Sequence, residues 1–158
     1  MQELIEYREK LIARMREATV ELCEFCKSFQ TPFEKAAGEW TVHQTAFHVR
    51  DVMREVYGLR IRRTLNEENP GFKNFDPDAW MAEHYNRSEA MEKILSEFSE
   101  DMLEVCAILA RIPQEGWSRV SCHEALGSEL TLQLWAERSL AHIEEHLDTL
   151  KNKKKTEC

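Results

Sequence analysis

Residues 139–150 read SLAHIEEHLDTL, and the fold turns on the spacing of the two histidines within them. His142 and His146 lie four residues apart, so on a helix one imidazole stands above the other. Leu132, Trp135, Ser139, His142, His146 and Leu150 keep a 4/3 rhythm, the stripe that a bundle helix turns inward. An i,i+4 histidine pair alone is a common accident of sequence; its place on that stripe gives it weight. Two buried imidazoles side by side require hydrogen-bond partners or a metal ion.

Working outward, the next signal is GEWTVHQTAFH at Gly38 to His48. Thr41 followed by Gln44 forms a capping box, in which the hydroxyl accepts the N3 amide and the Gln side chain reaches back to the cap. A helix therefore starts there, with Thr45, His48, Val49, Val52, Val56 and Leu59 on one face. His48 points inward. His43 lies five residues away, about 140° around the helix, and is expected to point elsewhere. With His142 and His146 present, His48 reads as a third metal ligand rather than a lone core histidine.

Two more helices complete the set. Gln2 to Phe29 has no Gly or Pro and carries apolar residues at helical period, from Leu4 and Leu11 to Cys26 and Phe29. Cys23 and Cys26 form a CxxC inside it, which reads as packing, since the redox motif needs a helix N-terminus and a preceding strand. A third amphipathic helix runs from Ser88 through Met91, Phe98, Val105 and Ile112 and is ended by Pro113. Between them, Asn66 to Asp76 is a turn-rich connection, after which Asp76 and Pro77 make a cap-plus-N1 start for a short helix or for the third helix itself. His84, nearby, reads as a surface or boundary residue. Pro113 to Leu130 is the longest irregular stretch and a possible lid, and its adjacent Cys122 and His123 read as ordinary loop residues. Thr131 caps the last helix.

Four amphipathic helices without strand-like alternation imply an all-α four-helix bundle. The histidines then select its topology. His48 lies seven residues past Thr41, and His142 and His146 lie about as far before Lys151. Equal depths from opposite ends meet only if the second and fourth helices are antiparallel, which is up-down-down-up with a long crossover between helices two and three. The eleven residues from Asn66 to Asp76 reach about 36 Å when extended, the length of a helix of about 24 residues.

The bulk properties agree with one domain over residues 1–151 and a polar tail over 152–158. At 158 residues the chain can bury a continuous core without staples. A net charge of −8 offers no basic stripe for nucleic acid or an anionic membrane. No segment approaches the ~18 apolar residues of a membrane span, and the N-terminal MQELIEYREK reads as a charged helix rather than a basic region followed by an apolar core. A cytoplasmic location is expected. The five cysteines, Cys23, Cys26, Cys106, Cys122 and Cys158, read as reduced thiols.

Together GEWTVHQTAFH, the ELTLQLW segment at Glu129 to Trp135, and AHIEEH at Ala141 to His146 resemble the DinB-like (YfiT-type) metal-binding four-helix bundles. In that family one early His on the second helix and two positions four apart on the last helix bind a divalent metal. The resemblance maps these onto His48, His142 and His146. It also implies the up-down-down-up order and a homodimer, and in some relatives the use of a low-molecular-weight thiol by transferases or isomerases.

Three imidazoles suit zinc or nickel and leave positions open for chemistry. Glu144 and Glu145 turn away from the ligand face, and residue 143 is Ile, so the HExxH protease pattern is not reproduced. Asp51 and Glu55 are candidate acceptors for a ligand N–H. The function expected is a metal-dependent enzyme that activates a thiol cofactor or water toward an unidentified small-molecule substrate. The alternative is a non-catalytic dimeric metal- or ligand-binding module for interaction or sensing.

Overall fold

In the computed structural model, which describes residues 1–38 and 40–156, four long helices pack as the sequence predicts. Cys158 lies outside the described residues, as does Glu39 within the GEWT segment. The first helix, α1, spans Gln2–Lys27. The second is one continuous rod in three parts: α2 over Val42–Val52, a π-helical turn over Met53–Tyr57 and α3 over Gly58–Asn66. A short α4 occupies Pro77–His84, and α5 and α6 run over Met91–Arg111 and Leu132–Thr156.

The starts are capped as the sequence indicates. Thr41 Oγ1 accepts the Gln44 amide at 3.1 Å, and Gln44 Oε1 accepts the Thr41 amide at 2.9 Å. Asp76 accepts the amides of Asp78 and Ala79 at 3.0 and 3.1 Å ahead of Pro77, so the short-helix alternative is the one taken. Thr131 Oγ1 accepts the Leu134 amide at 3.1 Å. Each of these bonds satisfies an amide that the first turn leaves without a partner.

Ion pairs and polar contacts give the directions of the helices. Along α1 and α6, Arg8 meets Gln133, Arg14 meets Glu144 and Glu21 meets Lys151, so these two are parallel. Arg50, Arg54 and Arg62 meet Glu97, Asp101 and Glu104 in the same order, so the second rod and α5 are parallel too. Met53 meets Ser139 while His48 meets His142, which runs the second rod against α6. The bundle is up-down-down-up. Its crossover, residues 67–90, holds α4, and its core is built on Met15, Leu22, Phe98, Met102, Leu132 and Trp135. No helix of the described residues is long and apolar enough to cross a membrane.

Four features depart from the expected pattern. Leu59, expected on the buried face, is 42% exposed, and Arg60, Ile61 and Thr64 are buried instead. The π turn is the cause: the Gly58 N–H bonds the Met53 carbonyl, five residues back, and the extra residue rotates everything after it by one position. Pro113 to Leu130 is not irregular. It forms a 3₁₀ turn at Gln114–Ser118 and a hairpin of two strands, Val120–His123 and Gly127–Thr131, while Gly71–Phe72 of the crossover adds in parallel to the first of them. Its alternation was hidden because Ser121 and His123 face inward and Val120 faces out. A second small pairing, Lys35–Ala37 with Trp40–Thr41, precedes α2. Finally, α6 continues past residue 151, and Lys154 donates to the Ser28 carbonyl at 2.8 Å near the C-terminus of α1.

Candidate metal centre

The antiparallel run of α2 against α6 brings His48, His142 and His146 together. His142 Nε2 lies 2.9 Å from His48 Nε2 and 3.1 Å from His146 Nε2. All three rings are packed edge to face, with centroids 4.6–4.9 Å apart. Trp40 covers His48 at 4.7 Å, and Tyr57 lies 5.7 Å from His142. Burial, and then the neighbouring imidazoles, push the pKa of His48 down to about 3 and that of His142 down to about 2. Burial also lowers that of His146. The rings are therefore neutral at pH 7, with lone pairs free to bind a cation. His142 Nε2 carries at most one proton and faces two nitrogens, so a proton alone cannot satisfy the cluster.

The other sequence candidates lie elsewhere. His43, expected to point away, is 1% exposed. The connections wrap its face of α2, so its Nε2 donates to the Glu89 carbonyl at 2.7 Å and its Nδ1 accepts from the Tyr85 hydroxyl at 2.6 Å. Asp51 accepts from Arg50 Nε at 2.8 Å and from the Trp80 indole at 2.7 Å, and Glu55 is exposed. Neither is a partner of the triad. Glu144 pairs with Arg14 at 2.7 Å, and Glu145 is exposed, so both turn away as the helix geometry requires. His84 is exposed and stacks on Trp80 at 3.8 Å. Cys26 is buried, and burial raises its pKa to about 12, while Cys23 is half-buried and also raised. Such thiols pack rather than react.

A cleft of about 340 Å³ opens beside the triad, with His48 and His142 on one wall. Tyr57, Arg60, His123 and Arg138 line it as well, and the sequence reading gave none of them this place. Arg138 was legible, because it lies one turn before His142 on α6. Arg60 was concealed by the register change at the π turn, which buries it out of the run Arg60, Arg62 and Arg63. His123 was concealed by the inverted alternation of its strand.

Among known proteins, a curated protein of Oceanobacillus iheyensis, provisionally named a metal-dependent hydrolase, is 28% identical over 113 residues. That match spans 68% of this chain and 64% of the relative's length. The solved structure of YfiT from Bacillus subtilis, described as a probable metal-dependent hydrolase with an unusual four-helix bundle topology, superposes with a TM-score of 0.82 at 20% identity. The superposition covers 96% of this chain and 87% of YfiT, and it shows that the fold is shared. Residues 3–150 match the family model of the DinB superfamily, and the chain belongs to that superfamily.

Proposed function

We propose that this protein is a metal-dependent hydrolase whose divalent ion, zinc or nickel, is held by Nε2 of His48, His142 and His146. The observation that carries the reading is the convergence of three neutral imidazole nitrogens, two of them 2.9 and 3.1 Å from the third. The donor set fits. At metal–nitrogen distances of about 2.0–2.1 Å, nitrogens so spaced subtend about 90–100° at an ion, a set gathered on one side of it. His48 and His142 also line the cleft, which gives a substrate access to that place.

When bound, such an ion supplies Lewis acidity that makes a nucleophile available at neutral pH. The chain's own residues do the rest. Burial keeps the three rings unprotonated, Trp40 shields His48 from solvent, and Tyr57 places a phenol in the cleft beside His142. The names of the two relatives favour water over a thiol as the nucleophile.

The test is elemental analysis of untagged protein, wild type beside His48→Ala and His146→Ala. Near-stoichiometric zinc or nickel in wild type, lost in both variants, is the expected result. Wild type without metal, and with a melting temperature that added zinc or nickel leaves unchanged, overturns the reading, because a ligand that binds only the folded state must stabilise it.

A further inference from the structure

The cleft beside the histidines carries two arginines, Arg60 and Arg138, in a protein that is otherwise acidic. The chain has 29 Asp and Glu against 21 Lys and Arg. Arg14, Arg50, Arg54, Arg62 and Arg63 each pair with at least one carboxylate. Among the described residues Arg60 and Arg138 have no carboxylate partner, although both line the cleft, and no Asp or Glu lines it with them.

Arg60 is only 8% exposed. Its guanidinium lies over the Trp135 ring at 4.8 Å and has the Phe72 ring at 5.7 Å, which fixes its plane. One nitrogen, Nη2, donates to the Lys73 carbonyl at 3.1 Å. The 3.3 Å approach of the same nitrogen to His123 Nε2 is not a second bond. His123 Nδ1 accepts the amides of Ala125 and Leu126 at 3.0 and 3.2 Å, so its proton is on Nε2, and that nitrogen also bonds the Lys73 backbone. Two donors thus share one carbonyl. The other guanidinium N–H groups have no protein acceptor among the described residues and are not sealed from the cleft.

A buried cation of this kind is costly unless something anionic meets it. Burial chiefly lowers the Arg60 pKa from its usual value; Tyr57 opposes this and the like charge of Arg138 adds to it. Glu124, next to His123 in sequence, accepts the Asn74 backbone amide at 2.7 Å and does not line the cleft. A flat guanidinium held by stacking matches the two oxygens of a carboxylate or phosphate, and about 340 Å³ accommodates a small molecule.

We infer that Arg60 and Arg138 form an anion subsite that takes the carboxylate or phosphate group of the substrate and directs the rest of it toward the histidine triad. The inference rests on the proposed metal centre only for what the held molecule is presented to.

The experiment is calorimetric titration with inorganic phosphate and, separately, with acetate, on metal-free and zinc-loaded protein. Wild type is compared with Arg60→Met, Arg60→Lys, Arg138→Met and His142→Ala. The subsite requires wild type to bind at least one of the two anions, which names the group it prefers. Arg60→Met and Arg138→Met should each weaken that binding about tenfold or more with zinc content unchanged, and Arg60→Lys should restore part of it. Arg138 is exposed, so its variant tests the subsite even if Arg60→Met misfolds. Equal affinities in wild type and Arg138→Met, or no binding of either anion by wild type, overturn the inference. Arginine-dependent binding that survives in His142→Ala leaves the subsite standing without the metal, whereas stoichiometric zinc with arginine-independent anion binding leaves the metal standing without the subsite.

Discussion

His43 and His48 leave the same helix five residues apart and are both buried, yet they meet opposite surroundings. His43 is saturated: one nitrogen donates to the Glu89 carbonyl and the other accepts from Tyr85. His48 turns Nε2 toward the Nε2 of another neutral ring, and neither nitrogen has a carbonyl or hydroxyl partner among the described residues. Substitution should separate them. His43→Ala leaves a carbonyl without its donor and a void against Phe33 and Tyr85, at a cost of about 1–3 kcal/mol in urea unfolding, with zinc content unchanged. His48→Ala should lose the metal and, in metal-free protein, cost less, because no hydrogen-bonded donor or acceptor outside the triad is orphaned. Loss of zinc from His43→Ala would place that histidine in the metal centre's support and defeat the distinction.

At the scale of elements, most of the architecture was legible because its signals are local and periodic. The cap at Thr41, the Asp76 and Pro77 start, and the apolar stripes of four helices need only their own neighbours, and the depth argument from the histidines then selects the observed topology. What was not legible depends on contacts the pattern does not encode. His43 is buried by connections that wrap α2, the hairpin of Val120–His123 with Gly127–Thr131 hides polar residues inward, and the π turn shifts the register beyond Val52. Gly58 makes that turn possible, since a Cβ there would lie 2.6 Å from the Met53 carbonyl oxygen. Helix propensity alone predicts that Gly58→Ala stabilises the rod by up to about 1 kcal/mol. The close contact predicts the opposite: a loss of about 1–2 kcal/mol in urea unfolding, with weaker anion binding as Tyr57 and Arg60 rotate away from the cleft. His48 precedes the turn, so zinc content should hold. A stabilised variant with intact anion binding would show that the turn carries no strain and sets no register.

For the whole molecule, buried histidines make stability depend on pH just below neutrality, the triad foremost and His123, also lowered by burial, beside it. His48, His142 and His146 are held neutral by burial, with folded pKa values below the unfolded value of about 6.5. Below that value the unfolded chain takes up protons that the native chain refuses. Stability is therefore full above about pH 6.5 and is lost as the pH falls toward the folded values, about 3 for His48 and about 2 for His142, each ring contributing at most about 1.4 kcal/mol per pH unit. Carboxylates act later. The Arg50 guanidinium lowers Glu89 to about 2, and Arg14 lowers Glu21, so their contributions are complete above about pH 4.5 and fade only below it. Urea midpoints of metal-free protein between pH 7.5 and 5 should thus fall in wild type, and fall less steeply in His48→Ala and His142→Ala. Zinc should raise the wild-type midpoint across this range while leaving its slope about the same, because the native nitrogens it binds are already unprotonated there. A flat wild-type profile across that range would mean that the native triad already accepts protons. The three nitrogens would then be exposed to solvent rather than gathered around a place for a cation.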